Sequence, residues 1–189
     1  MFTRNYYNGL ASIYRKFGST DLSCVDSSGV SGQLYVSKIL SGSLYPSLTS
    51  GDSYSFVKLH TDSLTTSVTS SNYEKLAGIY LGTGTTEPTV DNYKLSGTQI
   101  TAFSVLSTVF TTNVIDNVQT FEMRYVIRNT GETEFTIGEI AYFGCVQIGS
   151  SSTYKRVLLE RTVLDEPLTV SAGTTAEILY KWNITLPTV

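Results

Sequence analysis

The sequence has few charged residues. Of its 189 residues, only 13 are Lys or Arg and 16 are Asp or Glu, 15% in total, and the net charge is −3. A typical globular domain has about a quarter charged residues. A surface with so little charge has no strong field to attract a phosphate backbone, and no basic stripe interleaved with aromatic residues is present. We therefore expect no nucleic-acid partner.

Long apolar runs are also missing. No segment reaches the roughly 18 apolar residues of a membrane-spanning helix. The first residues, Met1 to Tyr7, lack the apolar core of a signal peptide. The sequence thus predicts a protein that is made in the cytoplasm, with no membrane partner. In that compartment Cys24 and Cys145, which show no metal-binding spacing, are expected to stay as thiols.

Motifs for catalysis are scarce too. The single histidine, His60, ends an expected strand, and no Gly-x-Ser-x-Gly elbow occurs, so a surface or loop-edge position is favoured over a catalytic one. The glycine-rich segment 82–86 lacks the Gly-Lys-Ser/Thr ending of a phosphate loop and is interpreted as a turn. The acidic pairs Asp165-Glu166 and Glu132/Glu134 are assigned to solvated turns. We predict no catalytic residue, no cofactor and no metal, and hence no enzyme.

Alternating apolar residues are the strongest positive signal. Between Gln119 and Gly144 one run ends at Asn129-Thr130-Gly131-Glu132 and a second starts at Phe135, which predicts one β-hairpin with a wet face. After Ile137 the alternation changes parity. A β-bulge at Gly138 is favoured, and the alternative is a strand buried on both faces.

Further strand signals lie along the whole chain. The expected strands are Gln33–Leu40, Tyr54–Leu59, Ala77–Leu81, Phe103–Phe110, Tyr154–Leu164 and Ala176–Leu186, the last paired with a strand ending at Val170. Residues 63–71 are the expected mobile linker. Together these signals predict a mainly β protein, an antiparallel β-sandwich of immunoglobulin-like or jelly-roll-like type. The expected organisation is an N-terminal helical arm at 1–18, a Ser/Thr/Gly-rich β segment at 19–75 and a sandwich core at 76–189.

Apolar residues recur at helical spacing near the N-terminus. Six of them form one face between Asn5 and Phe17: Tyr6, Tyr7, Leu10, Ile13, Tyr14 and Phe17. This helix packs on its own domain or docks as an arm on a neighbouring subunit, and the sequence leaves both interpretations open. A helix this short needs a surface to cover.

Several segments resemble small structural proteins of tailed bacteriophages of the gut. The sharpest is Gly82-Thr83-Gly84-Thr85-Thr86-Glu87-Pro88, continuing to Leu95, and the opening Asn5-Tyr6-Tyr7 with its helix is also similar. Downstream, Tyr125–Gly131, Thr136–Ile140 and Val163–Val170 fit as well. The resemblance implies a virion component of the tail, collar or capsid surface, and it implies no catalytic residues.

The first hypothesis is therefore a virion structural protein, made in the host bacterium, that forms a homo-oligomer and contacts other virion proteins. Its candidate interface residues are Tyr6, Tyr7, Leu10, Tyr14, Phe17, Thr85, Pro88 and Tyr93. The alternative is a carbohydrate-binding module that recognises a host glycan through tyrosines, since a tyrosine ring offers flat area with a polar edge. An enzyme is the weakest of the three hypotheses.

Overall fold

The computed structural model describes residues 1–8, 23–33, 58–63, 67–69, 77–147 and 153–185, and these are mainly antiparallel β. Residues 4–8 form a short helix. The strands are β1 Ser23–Val25, β2 Ser31–Gln33, β3 Ser67–Thr69, β4 Gly78–Gly82, β5 Phe103–Ile115, β6 Val118–Asn129, β7 Phe135–Gln147, β8 Thr153–Val170 and β9 Thr175–Thr185. The predicted class is confirmed, and a β-sandwich-like fold fits this content. In the described residues, no helix is long and apolar enough to cross a membrane.

The chain divides into two compact units. Unit 1 comprises Met1–Thr101 and Thr136–Leu168, and unit 2 comprises Ala102–Phe135 and Thr169–Val189. The sheets follow this division. Unit 1 has a four-stranded sheet in the order β3-β8-β7-β4 and the small β1-β2 sheet, whereas the three-stranded sheet β5-β6-β9 belongs to unit 2.

The core of unit 1 is built on strands that are buried on both faces. All residues of β4 are buried, and so is every residue of β7 from Ile137 to Cys145. Burial on both faces, the alternative explanation of the parity change after Ile137, is thus what the structure shows, and the bulge favoured at Gly138 stays a prediction. In the described ladders, a register shift lies between Val105 and Ser107, where β5 pairs with β6.

In the sheet of unit 2, β6 and β9 have one buried and one exposed face. On β6 the side chains of Phe121, Met123, Tyr125 and Ile127 are buried, and they lie opposite buried side chains of β9 such as Tyr180 and Trp182. Arg124 and Arg128 lie on the other face and are exposed. The alternation of buried and exposed side chains that was predicted for β6 and β9 is confirmed.

The predicted hairpin between Gln119 and Gly144 is wrong, because β6 lies between β5 and β9 while β7 lies between β8 and β4. The connection between them is held by the Asn129 side chain. Its Oδ1 accepts from the amide of Gly131 at 2.8 Å, and its Nδ2 donates to the carbonyls of Thr133 and Val170, both at 2.9 Å. An Asn that caps a turn in this way redirects the chain without requiring the two strands to pair.

The ends of β8 and β9 give two further corrections. The turn at 171–174 is present, with the amide of Thr174 bonded to the carbonyl of Ser171, but β9 pairs with β6 and not with the strand ending at Val170. The predicted turn Asp165-Glu166-Pro167 lies inside β8. Pro cannot donate to a β-ladder, and it is tolerated where its side of the strand has no partner.

The region 19–75 is described only in part. Of the two strands expected there, Gln33 ends β2, Leu59 forms a parallel bridge with Ile79, and the carbonyl of Lys58 accepts from the amide of Ile79. Residues 34–40 and 54–57 lie outside the described residues. Within the expected linker 63–71, Ser67–Thr69 form β3, which pairs with β8, so a linker is wrong at those positions.

Candidate functional site

A buried ion pair lies beneath the loop that follows β4. Glu139 of β7 and Arg161 of β8 stand on neighbouring strands and are 0% and 1% exposed. The Arg161 Nε donates to Glu139 Oε2 at 2.5 Å. Placing two charges in the interior costs free energy unless hydrogen bonds satisfy their remaining atoms.

Glu139 receives such hydrogen bonds from the loop backbone. The amides of Gly97 and Gly84 donate to Oε1 at 2.7 and 3.2 Å, and the amide of Ser96 donates to Oε2 at 3.1 Å. Burial by itself raises the pKa of Glu139, but the hydrogen bonds from Arg161, Gly97 and Ser96 outweigh it and lower the pKa below its ordinary value. Because internal donors surround both oxygens, the carboxylate is suited to fixing the loop rather than to exchanging protons.

Arg161 binds the same loop from below. Its Nη1 donates to Asn92 Oδ1 at 3.0 Å, and its Nη2 donates to the carbonyl of Thr86 at 2.5 Å and to Ser96 Oγ at 2.6 Å. The planar guanidinium presents its donors in a fixed fork, so it holds both ends of the loop in one geometry. The loop of residues 82–97 is therefore held rigid by the buried polar side chains of Glu139 and Arg161.

Glycines make room for this arrangement. A Cβ at Gly138 would lie 2.6 Å from the carbonyl oxygen of Gly84, and a Cβ at Gly97 would lie 2.6 Å from Thr83 Oγ1. At Gly84 an added Cβ would meet Ser96 Oγ and Glu139 Oε1. Side chains at these positions would push the loop away from β7 and separate the amides from the carboxylate.

The N-terminal segment is anchored on unit 1. The amide of Thr3 donates to the carbonyl of Leu159 at 2.9 Å. Asn5 makes two bonds with the backbone of Val25, to its carbonyl and from its amide, both at 2.8 Å. For residues 1–8, packing on the same domain is therefore what the structure shows. Residues 9–17 of the expected helix lie outside the described residues.

The same segment adjoins the loop. The amide of Arg4 donates to the carbonyl of Val90 at 2.6 Å, and its Nε donates to Asp91 Oδ1 at 2.7 Å. Both side chains of the Arg4–Asp91 pair are exposed, so water screens the charge attraction, although each group shifts the other's pKa toward the ionised form. Two segments that the sequence singles out separately thus form one surface, which we call the arm–loop surface (residues 1–8 and 82–95).

The candidate interface residues fall into three groups. Tyr6 is buried and its ring stacks on that of Phe2, with centroids 4.2 Å apart. Tyr7 and Thr85 are exposed, and Pro88 and Tyr93 are half-buried. The remaining candidates, outside the described residues, are Leu10, Tyr14 and Phe17. The candidates that remain accessible to solvent on the arm–loop surface are therefore Tyr7, Thr85, Pro88 and Tyr93.

A cleft of about 440 Å³ opens at the edge of this surface. It is lined by Met1, Thr85, Glu87, Pro88 and residues 162–165 and 167. Exposed carboxylates at Glu87 and Asp165 give it polar walls. Its size is at the lower end of the range of small-molecule sites.

His60 is buried, so the expected surface position is wrong. Its ring stacks on that of Tyr80 at 4.6 Å, and its Nε2 lies 2.6 Å from the carbonyl oxygen of Ala77. Burial lowers the pKa of His60 to about 4. Within the described chain its Nδ1 has no hydrogen-bond partner. A neutral imidazole packed on a tyrosine is a core element.

Few other side chains in the described part of the chain could react or bind a metal ion. Cys24 and Cys145 are both buried and do not form a disulfide with each other. Burial raises the pKa of the Cys24 thiol to about 12. No group of three or more His, Cys, Asp or Glu side chains that could hold a metal ion occurs among the described residues.

Sequence reasoning missed the Glu139–Arg161 pair. A signal was present, since Glu139 is the one charged residue of β7, a strand otherwise rich in apolar side chains. A lone charge in such a strand has to be paired if the strand is buried. The partner could not be read from the sequence, because it depends on which strand lies beside β7.

Comparison with known proteins gives no matching family model, no matching curated protein and no matching solved structure.

Proposed function

We propose that this chain is a structural protein of a tailed-bacteriophage virion, a component of the tail, collar or capsid surface. It assembles with other virion proteins through protein–protein contacts and catalyses no reaction. The observation that carries the proposal is the hydrogen bond between the amide of Arg4 and the carbonyl of Val90, at 2.6 Å. It joins the N-terminal segment and the loop 82–95, two of the segments that resemble phage structural proteins, into one surface.

The arm–loop surface has properties that suit assembly. Its loop is fixed by the buried Glu139–Arg161 pair, so little conformational entropy is lost when a partner binds. Apolar side chains remain exposed on it, including Tyr7 and Val90. An aromatic ring and an apolar side chain held by a rigid backbone are features of protein interfaces.

Truncation is a poor test of this surface, because the buried residues Thr3 and Asn5 bond to the backbone of other parts of unit 1, at Leu158 and Val25. A point variant is cleaner. Val90, 42% exposed, is replaced by Asp, and the matched control is Leu179→Asp, at a position 44% exposed in unit 2. The readout is the copy number of each form in purified particles of a phage that encodes the chain, measured by quantitative mass spectrometry.

We expect the wild-type chain in the particles in stoichiometric amount and the Leu179→Asp form at the same level. A buried unpaired carboxylate in an interface costs enough to reduce incorporation of Val90→Asp about tenfold or more. Absence of the wild-type chain from the particles would refute the virion role. Full incorporation of Val90→Asp would refute the arm–loop surface as the contact.

A second candidate is a carbohydrate-binding module for host recognition, which the cleft beside Met1 favours. Its polar walls include Thr85 and Asp165, and hydroxyl and carboxylate groups are suitable partners for sugar hydroxyls. A glycan array with the full chain tests it. Specific binding that is lost in Asp165→Ala but kept in Val90→Asp would support this candidate over the first.

A further inference from the structure

One of the two edge strands of the sheet in unit 2, β5, has an unusual composition. β5 is 13 residues long and contains no charged residue and no proline. Among the described strands it lies at one edge of the β5-β6-β9 sheet, with β6 as its neighbour. Natural edge strands usually carry a charge, a proline or a cover that prevents pairing with another chain. β5 has a register shift between Val105 and Ser107, and beyond it the strand is regular up to Ile115.

The opposite edge of the same sheet is charged. β9 carries Glu177 and Lys181, which form ion pairs with Arg124 and Glu122 of β6, each at 3.1 Å. The exposed apolar side chains of this sheet are concentrated on β5, where Val109 is 50%, Val114 55% and Ile115 62% exposed. The two edges thus differ in the way expected if only the β5 edge is used for pairing.

The sequence of β5 is symmetric in polarity about Thr112. From 109 to 115 it has two apolar, three polar and two apolar residues. An antiparallel copy centred on Thr112 would oppose residues of like polarity, on both faces. The opposed pairs are Val109 with Ile115, Phe110 with Val114, Thr111 with Asn113, and Thr112 with itself.

Neighbouring registers lose this match. With the two-fold axis at Thr111, Val109 would face Asn113 and Phe110 would face Thr112. Cross-strand pairs of β-branched and aromatic side chains stabilise a sheet more than mixed apolar–polar pairs do. The register centred on Thr112 is therefore the one that the side chains select.

We propose that the β5 edge pairs with the β5 edge of a second copy of this chain, antiparallel and centred on Thr112. The two three-stranded sheets then become one continuous sheet across a two-fold axis. Such an interface is isologous, so every pairing except that of Thr112 with itself occurs twice, and the absence of charge on β5 removes like-charge repulsion between the paired strands. The proposal does not depend on the virion role, since it concerns unit 2 and not the arm–loop surface.

Charge exchange tests both the pairing and its register. In the full chain, Val109→Glu and Ile115→Lys are each made alone and then together, because the two positions face each other across the axis. Leu179→Glu is the control, since Leu179 and Val109 both pair with Arg124 from opposite sides of β6. The mass of each form in solution is measured by sedimentation velocity over a range of concentrations, with circular dichroism to verify folding.

We expect a wild-type dimer, a dissociation constant raised about tenfold or more in each single variant, and no change in Leu179→Glu. The double variant should recover dimerisation, because the carboxylate introduced at position 109 of one copy then faces the ammonium group introduced at position 115 of the other. A monomeric wild-type chain would overturn the proposal. So would a dimer that survives both single variants, or one that only Leu179→Glu disrupts.

A cysteine cross-link keeps the proposal testable if the charged variants do not fold. Opposed Cα atoms of an antiparallel ladder lie about 4.5–5.5 Å apart, within reach of a disulfide. Thr112→Cys should therefore form a covalent dimer under mild oxidation, whereas Thr108→Cys, four residues from the axis, should not. The native Cys24 and Cys145 are buried and do not compete. Equal cross-linking of both variants, or of neither, would contradict the register.

Discussion

The Nε of Arg161 donates to Oε2 of Glu139 at 2.5 Å, and the loop amides around the pair donate to the same carboxylate. Glu139 is therefore an acceptor on both oxygens. In Glu139→Gln the amide NH₂ would face donors only and would leave Arg161 without its counter-charge. We expect a loss of about 3–5 kcal/mol in the free energy of unfolding, measured by urea denaturation.

The control for this variant is Glu166→Gln, at an exposed position of β8. An exposed amide exchanges its hydrogen bonds with water, so the change should stay within about 0.5 kcal/mol. Equal stability of the two variants would mean that the ion pair does not hold unit 1 together.

Gly84→Ala tests the close approach of the loop to β7. The added Cβ would lie 2.6 Å from the amide nitrogen of Gly97 and would also meet Ser96 Oγ and Glu139 Oε1. Because the neighbours are backbone and a fixed carboxylate, we expect a loss of about 1–3 kcal/mol on thermal or urea unfolding.

Gly173→Ala separates this steric effect from backbone strain. Gly173 has a φ of +72° and nothing within 4 Å of an added Cβ, so only the left-handed conformation is penalised, by about 1 kcal/mol. If Gly84→Ala costs no more than Gly173→Ala, the loop moves easily and is not rigid.

His60 should make unit 1 sensitive to weak acid. Its pKa is lowered to about 4 in the folded protein, because burial penalises the charged imidazolium, and its ordinary value is 6.5. The unfolded chain therefore takes up the proton first as pH falls. The contribution of neutral His60 to the free energy of unfolding is complete above about pH 6.5. It is lost progressively between about pH 6.5 and 4, up to roughly 3 kcal/mol.

His60→Gln removes this titration and should flatten the dependence of unfolding free energy on pH between about 6.5 and 4.5. The pKa of Glu139 is lowered from 4.5, so its contribution to the free energy of unfolding is lost as pH falls below about 4.5, and above that pH the His60 effect is measured apart from it. Urea denaturation at several pH values measures both. Identical slopes for His60→Gln and the wild type across the upper window would contradict the assignment.

The faces of β6 and β9 could be predicted from the sequence, whereas their partners could not. Alternation records which side chains are buried, and Phe121, Met123, Tyr125 and Ile127 are buried as expected. Which sheet a strand joins depends on the segment that connects it to the preceding strand. A run ending in Asn129-Thr130-Gly131 resembles a hairpin turn, but the Asn129 side chain bonds to Val170 and redirects the chain. The buried Glu139–Arg161 pair could not be predicted for the same reason, since the two side chains meet only because β7 lies beside β8.

β5 and β6 form a hairpin that was not predicted from the sequence, and it turns at Asp116 and Asn117. Both have positive φ, 48° and 62°, as in a type I′ turn. Asp and Asn tolerate this conformation, so their place between Ile115 and Val118 was a signal for a tight turn that the expected strands did not include. Gly is favoured at the second position, so Asn117→Gly should raise the free energy of unfolding by about 0.5 kcal/mol.

Asn117→Val is the opposing variant at the same position. A β-branched residue at positive φ is strained by roughly 1–2 kcal/mol, and the strain falls on the strand end that positions Ile115 for pairing with a second copy. We therefore expect Asn117→Val to lower both the unfolding free energy and the affinity of the dimer, while Asn117→Gly leaves dimerisation unchanged. Urea denaturation and sedimentation velocity on the same samples measure the two quantities. If Asn117→Val is as stable as the wild type, the turn does not set the geometry of β5.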